Sequence, residues 1–193
     1  MLEEEYDKQK RRPPRHLRRI PEPERPFTYE IRSATPADIP DIREIYNYYV
    51  TNSVVTFDEK RWTLRQWREK FDYLAKLELP FLVAESPSGQ VLGYALVQPW
   101  AGKSAYRYTV ENSIYLGPAS TGKGLGKALL GALIEKSKEA GLKEIIAVIA
   151  DKGAEASIAI HRQFGFVEGG HMGKVGFKFN RWIGTVLMQK SLK

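Results

Sequence analysis

Apolar residues along the chain change their spacing several times, and these changes predict helices and strands in turn. Thr35, a proline, an alanine and an aspartate begin a segment in which isoleucine and tyrosine recur three and four residues apart, which predicts a first helix. Thr63 and Gln66 have the spacing of a capping box, so a second helix is predicted to begin there. Runs rich in β-branched and aromatic residues predict four strands around these helices: 28–32, 81–85, 91–98 and 106–116.

The second half of the chain alternates helices with strands. The predicted elements are a helix at 124–140 that ends at Gly141, a fully apolar and buried strand at 144–150, a helix at 157–164, and strands at 166–168 and 183–192. The resulting order, β-α-α-β-β-β-α-β-α-β-β, predicts a mixed α/β sandwich without internal repeats.

Composition limits the classes of protein to which this chain can belong. Its 193 residues suffice for one core, and a hydrophobic content of 42% with 27% charged residues is typical of a globular protein. No apolar run reaches the roughly 18–20 residues that cross a bilayer, and the charged N-terminus lacks an apolar signal core, so we expect no membrane contact and a cytoplasmic location. The chain has no cysteine and three scattered histidines, which indicates no metal site and no cysteine nucleophile.

The net charge of +7 is shared between an N-terminal arm and the rest of the chain. Residues 1–26 contain eight Lys or Arg, six Asp or Glu and several prolines, which predicts a poorly ordered basic arm ahead of a domain at 27–193. The arm is interpreted either as a solubilising or partner-docking tail or as a segment that binds nucleic acid or another anionic surface. The basic domain suits an anionic ligand such as a phosphorylated cofactor.

A glycine-rich segment between Pro118 and Leu130 has the composition of an anion site. Glycines at 122, 124 and 126 precede a helical pattern, and a helix N-terminus offers unpaired N–H groups and a positive dipole end to a phosphate. Ala128 replaces the hydroxyl of a P-loop, and Lys127 replaces the third glycine of a Rossmann fingerprint. The remaining interpretations are the acyl-CoA pyrophosphate loop of N-acetyltransferases and an ordinary glycine-rich helix start.

Two ionisable residues flank this segment. Strand alternation places Glu111 on one face with Thr109, Ser113 and Tyr115, just before the glycine segment. Glu111 is interpreted as a general base or as an edge-strand acid paired with Lys or Arg. His161 lies one helical turn after Ser157 and is interpreted as a structural histidine or as a proton donor.

Together these motifs resemble the GCN5-related N-acetyltransferases, the GNAT superfamily. The resemblance is carried by the segment 118–130 and by Ser-Ile-x-Ile-His-x-x-x-Gly-Phe at 157–166. Four further motifs resemble the phosphinothricin and methionine sulfoximine acetyltransferase subfamily: Ile-Arg-x-Ala-Thr-x-x-Asp at 31–38, Ala-Tyr-x-x-Thr-Val-Glu-x-Ser at 105–113, Ala-Val-Ile at 147–149 and Gly-Phe-Lys-Phe-x-Arg-Trp at 176–182. The resemblance covers residues 27–193 and implies a mixed central sheet, splayed in the middle, with helices on both faces.

The resemblance also implies an activity and a set of site residues. It implies transfer of an acetyl group from acetyl-CoA, without metal, to the primary amine of a small amino-acid-like molecule, in a ternary complex with Glu111 as base and His161 beside the CoA sulfur. A backbone N–H on the splayed strand is expected to stabilise the oxyanion. The residues expected to bind the cofactor are Ile114, Tyr115, Leu116, Gly122, Lys123, Gly124, Leu125, Gly126, Lys127 and Ser157. The residues expected to bind the substrate are Lys103, Tyr106, Arg107 and Thr109.

Four positions depart from the subfamily pattern. Lys103 stands where arginine is frequent, Thr121 replaces glutamine or arginine, Ala154 replaces an asparagine, and Gly184 replaces an acidic residue. Two other functions stay open: a protein Nα-acetyltransferase, and a non-catalytic CoA-binding protein that regulates or contacts nucleic acid through the arm. Relatives commonly dimerise, so a homodimer is expected.

Overall fold

The computed structural model describes residues 27–193, in which seven strands and four helices follow the predicted order. The predicted basic arm at 1–26 lies outside the described residues. The elements are β1 (Glu30–Ser33), α1 (Ile39–Asn52), α2 (Leu64–Lys76), β2 (Phe81–Glu85), β3 (Val91–Pro99), β4 (Thr109–Leu116), α3 (Leu125–Glu139), β5 (Glu144–Ala150), α4 (Glu155–Gln163), β6 (Val167–Lys178) and β7 (Arg181–Ser191).

Local signals place the ends of several helices where the sequence predicts them. The capping box that begins α2 is formed: Gln66 N–H donates to Thr63 Oγ1 over 3.2 Å, and Thr63 N–H donates to Gln66 Oε1 over 2.9 Å. Gly141 follows α3 with a left-handed φ of 76°, a conformation that favours glycine at a helix C-terminus. These ends are therefore encoded locally.

Three details differ from the prediction. Residues 104–106 form a short 3₁₀ turn, so β4 begins at Thr109 rather than at Tyr106. β6 extends over 12 residues instead of three, because pairing with β7 and two register shifts accommodate a glycine-rich sequence that lacks a strand pattern. β5 is not fully buried: its Val148 is 36% exposed, whereas Ile145 and Ala147 lie in the core.

The strands form one mixed sheet in the order β1-β2-β3-β4-β5-β7-β6. Every neighbouring pair is antiparallel except β4 and β5, which are parallel. Helices α1 and α2 contribute Ile42 and Trp67 to one buried cluster, and α3 contributes Leu129 and Leu133 to another. The expected arrangement of helices on both faces of a mixed sheet is confirmed.

The parallel pair β4–β5 separates almost as soon as it forms. Its register covers only three pairs, the last of which joins Glu111 to Ile146. The strands diverge beyond that pair, so β4 residues 112–116 have a partner in β3 but none in β5. We call this opening the splay, and it confirms the expected splayed sheet.

The alternation of backbone hydrogen bonds along β4 determines which of its N–H and C=O groups face the splay. Gly117 N–H donates to Leu92 O over 2.8 Å, which makes Gly117 and Leu92 a hydrogen-bonded pair of the β3–β4 ladder. Because such pairs alternate along antiparallel strands, Tyr115, Ser113 and Glu111 also direct their backbone groups toward β3. The intervening residues Asn112, Ile114 and Leu116 therefore direct theirs into the splay.

The segment 53–63 between α1 and α2, which we call the α1–α2 loop, is anchored on β6. The buried Lys178 ammonium donates to the carbonyl oxygens of Ser53 at 2.7 Å and Thr56 at 2.9 Å. Gly176 lies against the Phe57 ring so closely that a Cβ there would come within 2.5 Å of it. The position of the loop therefore depends on β6.

Replacing Lys178 with methionine is expected to destabilise the protein. Methionine keeps the length of the side chain but leaves the carbonyl groups of Ser53 and Thr56 without their donor, which costs about 1–3 kcal/mol. The measurement is the free energy of unfolding in urea, with the exposed Lys174→Met on the same strand as the matched control. Equal stability of the two variants would contradict the anchoring role.

Candidate active site

Glu111 lies at the last paired position before the splay, and Gln98 connects its carboxylate to the ammonium group of Lys70. Its carboxylate accepts a hydrogen bond from Gln98 Nε2 at 3.4 Å, and Gln98 Oε1 accepts one from Lys70 Nζ at 2.8 Å. Burial raises the pKa of Glu111, while the Gln98 hydrogen bond and the Lys70 charge oppose that rise. Among residues 27–193 Glu111 forms no direct ion pair, so the alternative of an edge-strand acid paired with Lys or Arg does not describe it.

A second carboxylate and several aromatic rings share this face of the sheet. Asp58, on the α1–α2 loop, accepts hydrogen bonds from the Tyr46 hydroxyl at 2.5 Å and from Trp62 Nε1 at 2.7 Å. The ring of Tyr46 also packs edge-on against that of Tyr115, with centroids 5.2 Å apart. Burial raises the pKa of both tyrosines, so both hydroxyls stay neutral. The result is an acidic, aromatic-walled region beside Glu111.

His161 lies on the opposite side of β4, under the point where the strands separate. Its ring is 4% exposed, with Nδ1 2.8 Å from Ser157 O and Nε2 2.9 Å from Asn112 Nδ2. Since a carbonyl only accepts, Nδ1 carries the hydrogen and Nε2 accepts from the Asn112 amide. Burial also lowers the pKa of His161, so the ring is neutral and its one N–H is occupied. This geometry favours a positioning role over the proton donor that the sequence suggested.

The glycine segment forms an exposed approach to α3. Gly122 and Gly124 have left-handed φ angles of 74° and 79°, and no atom lies within 4 Å of where a Cβ would project. Leu125 is fully buried at the first position of the helix, and the exposed Lys123 and Lys127 lie on either side of this helix start. An exposed backbone thus precedes the helix N-terminus, which is the arrangement that an anion site requires.

The free edge of β4 leads from Glu111 toward this loop. Of the three strand residues expected to pair with cofactor, Ile114 and Leu116 direct their backbone into the splay, whereas that of Tyr115 faces β3. The Leu116 carbonyl already accepts from the Tyr49 hydroxyl at 2.7 Å. Asn112 N–H is the first donor beyond the last paired residue. Its side-chain Oδ1 is buried and has no hydrogen-bond partner within residues 27–193.

The expected substrate-binding residues occupy the turn before β4. Lys103, Tyr106 and Arg107 are exposed there, and the Arg107 guanidinium lies 4.7 Å from the centroid of the Tyr108 ring. Thr109 is half-buried at the first position of β4. None of them is hydrogen-bonded to Glu111. The structure therefore places them near the N-terminal end of the strand that carries Glu111 but does not join them to it.

Two departures from the subfamily pattern have visible consequences. Ala154 precedes α4 as a buried cap residue that supplies no side-chain hydrogen bond to the helix. At Gly184 an added Cβ would lie 2.3 Å from Asp151 Oδ2, and the glycine N–H donates to Asp151 Oδ1 over 3.0 Å. The carboxylate of Asp151, directly after β5, thus occupies the space beside residue 184, so a side chain there is excluded. Thr121 has a local role, since its hydroxyl donates to Pro118 O over 3.0 Å.

Sequence reasoning missed Lys70, Gln98 and Asp58. Gln98 lies opposite Glu111 in the β3–β4 register. A sequence-based prediction of that register could therefore have identified Gln98. Lys70 and Asp58 reach the site only through the packing of α2 and the α1–α2 loop, for which the sequence carries no local signal. No group of three or more His, Asp or Glu residues suited to a metal ion occurs in the described part of the chain, and no helix there is long and apolar enough to span a membrane.

Comparisons with known proteins agree with this geometry. Residues 31–187 match the family described as the acetyltransferase (GNAT) domain. The chain is 38% identical over 162 residues to a phosphinothricin N-acetyltransferase of Alcaligenes faecalis, covering 84% of this chain and 82% of the relative. It is 42% identical over 162 residues to an L-methionine sulfoximine/L-methionine sulfone acetyltransferase of Pseudomonas aeruginosa, and the match covers 84% of this chain and 94% of the relative.

A solved structure extends the similarity to three dimensions. The chain superposes with a TM-score of 0.82 on a phosphinothricin acetyltransferase from Sinorhizobium meliloti in complex with acetyl-CoA, at 40% identity. The match covers 86% of this chain and 89% of that structure. The resemblance found in the sequence motifs is confirmed.

His161 is expected to stay neutral at pH values where an exposed histidine takes up a proton. Desolvation opposes the charged ring, so its titration lies below the ordinary value of about 6.5, with the hydrogen on Nδ1. Nitrogen-15 NMR of the ring, assigned through loss of the signal in His161→Gln, measures both properties. A ring that carries its hydrogen on Nε2 at neutral pH, or that titrates above pH 7, would contradict the assignment.

Proposed function

This chain belongs to the GNAT acetyltransferase family, and from that premise we propose that it acetylates the primary amine of a small amino-acid-like molecule, with acetyl-CoA as donor and Glu111 as base. The observation that carries the proposal is the position of Glu111, which is half-buried at the last paired residue before the splay. Its relatives are named for phosphinothricin and for methionine sulfoximine or sulfone, and these define the proposed type of acceptor.

The residues present fit acetyl-CoA. The N–H groups of 122–127 and the ammonium groups of Lys123 and Lys127 suit its pyrophosphate. The backbone of Ile114 and the N–H of Leu116 suit the amide groups of its pantetheine arm, because these groups face the splay. When bound, acetyl-CoA supplies an acetyl group activated as a thioester.

Glu111 performs the proton transfer in this proposal. Burial raises the pKa of the Glu111 carboxyl toward that of the acceptor ammonium, which lowers the cost of moving the ammonium proton to Glu111 and releasing the nucleophilic amine. Asn112 N–H is the donor placed to stabilise negative charge on the reacting carbonyl, since it follows Glu111 and faces the splay. His161 is assigned to positioning the Asn112 side chain rather than to protonating the CoA thiolate, which is the leaving group of the reaction.

The acceptor is proposed to bind on the Glu111 face. The carboxylates of Glu111 and Asp58 and the surrounding aromatic rings favour a cation, which suits the ammonium group. Lys103 and Arg107 are the proposed partners of the acceptor carboxylate, with Tyr106 and Thr109 beside them. Lysine at 103 offers a point charge rather than a bidentate fork.

A cytoplasmic homodimer remains our prediction for the whole protein. Phe177 and Trp182 form an exposed cross-strand pair on β6 and β7, with ring centroids 5.4 Å apart, and we propose this surface for contact with a second copy.

Two other functions have distinct signatures. Acetylation of peptides alone would favour a protein Nα-acetyltransferase. RNA binding without turnover of any amine would favour a nucleic-acid-associated function.

Glu111→Gln is expected to lower kcat by about 10²–10⁴, because the amide cannot accept the ammonium proton. The measurement is release of free CoA thiol with phosphinothricin, methionine sulfone and an N-terminal peptide as acceptors. Binding of acetyl-CoA, measured by calorimetry, should be unchanged. A fully active Glu111→Gln enzyme would exclude Glu111 as the base.

Gly124→Ala is expected to weaken acetyl-CoA binding by about an order of magnitude. A residue with a Cβ lets the exposed loop relax out of the left-handed conformation in the free protein, and restoring that conformation on binding costs about 1–2 kcal/mol. Gly141→Ala, at the other end of α3, is the matched control because it has a φ of 76° and open space around the added methyl. Gly141→Ala should lose stability and keep its affinity for acetyl-CoA, whereas Gly124→Ala should lose affinity. Equal acetyl-CoA affinity in the two variants would argue against the pyrophosphate assignment.

A further inference from the structure

Lys70 is a half-buried lysine that the proposed reaction leaves without a role. It lies on α2 with its ammonium 5.3 Å from the centroid of the Trp62 ring and 5.7 Å from that of Trp67. Burial lowers its pKa, and the charges of Glu111 and Asp58 oppose that effect. A desolvated ammonium in such a place needs a compensating hydrogen bond, and Gln98 provides one at 2.8 Å.

This hydrogen bond also fixes which way the Gln98 amide points. An ammonium has no acceptor, so Gln98 must direct its oxygen toward Lys70 and its NH₂ group elsewhere. Gln98 lies directly opposite Glu111 in the antiparallel register, and its Nε2 is 3.4 Å from Glu111 Oε2. The contact with Lys70 therefore favours the amide orientation that presents a donor to the carboxylate.

The charged and titratable groups around Glu111 are few. The α1–α2 loop contributes Asp58, α1 contributes Tyr46, and β4 itself contributes Tyr115. On β5 its partner is the uncharged Ile146. Among residues 27–193, Lys70 of α2 is the cation whose charge acts on Glu111.

We propose that Lys70 is a positioning residue for acetyl transfer: acting through Gln98, it orients the Glu111 carboxylate and keeps it in the anionic form that accepts a proton. This role rests on the proposed function of Glu111 as the base. The chain from Lys70 to Gln98 to Glu111 spans α2, β3 and β4, so it couples the packing of α2 to the reactivity of the site. Lys70 itself contacts neither substrate nor cofactor in this proposal.

The direction of the effect follows from the charge. Removing a nearby cation disfavours the carboxylate anion, so Glu111 in Lys70→Met holds its proton to a higher pH. Because only the anion is a base, kcat/KM should fall on the acidic side of the profile and recover as the pH rises. The ionisation of the free amine acceptor is common to all variants and does not shift with them.

The first measurement is the titration of the ¹³C-labelled Glu111 carboxyl by NMR, identified by its loss in Glu111→Gln. We expect Lys70→Met to raise the midpoint by about one pH unit, which corresponds to about a tenfold change in the proton equilibrium. Lys70→Arg keeps the charge and should stay near the wild-type midpoint. The exposed Lys76→Met, on the same helix, is the matched control for loss of one positive charge.

The second measurement is the pH profile of kcat/KM for the same variants. Its acidic limb should shift to higher pH in Lys70→Met and, to a smaller extent, in Gln98→Leu. The affinity for acetyl-CoA should be unchanged in both variants. An unmoved carboxyl titration in folded Lys70→Met, or an equal loss of kcat/KM at every pH, would overturn the role of Lys70. A shifted titration together with a fully active Glu111→Gln would reject the proposed base while leaving the contact of Lys70 with Glu111 established.

Discussion

The early end of the β4–β5 pairing is the constraint on which the site depends. A parallel pair in the middle of a sheet normally satisfies the backbone N–H and C=O groups of both strands, and unpaired groups there are costly. Here the ladder stops at Glu111, so alternate residues of β4 retain backbone groups without a strand partner. The fold thus leaves an open strand edge at its own centre. Side chains meet at the fork as well, because the Asn112 and His161 pair is buried beneath it.

Strand alternation then divides the chemistry between two faces. Glu111 and Tyr115 point toward α1, α2 and the loop that joins them, where the acidic and aromatic groups lie. Asn112 points toward α4 on the other face, where His161 accepts its hydrogen bond. One short strand therefore supplies a half-buried carboxylate on one side, a structural polar pair on the other, and backbone groups along its edge. A shift of one residue in its register would exchange the two faces and abolish all three roles.

The sequence predicted those parts of the structure that depend on local chemistry or on strand alternation. The capping box at Thr63, the glycine after α3, and the element order are confirmed by the structure. Features that depend on tertiary packing were not predicted from the sequence. β6 was predicted too short, because its glycines conceal a strand that pairing with β7 stabilises. Lys70 and Asp58 reach the face of the sheet that carries Glu111 only through helix packing and a loop anchored by Lys178. The buried partner of His161 is likewise distant, since Asn112 lies in a strand far away along the chain.

Residue-resolved amide hydrogen exchange, with and without acetyl-CoA, tests most directly whether the splayed edge of β4 is the binding edge. The amides of Ser113 and Tyr115 face β3 and should be protected in both states. Those of Ile114 and Leu116 face the splay and should exchange faster in the free protein and become protected when acetyl-CoA binds. Protection of Ile114 and Leu116 that is already high without ligand, or that does not change on binding, would contradict the account.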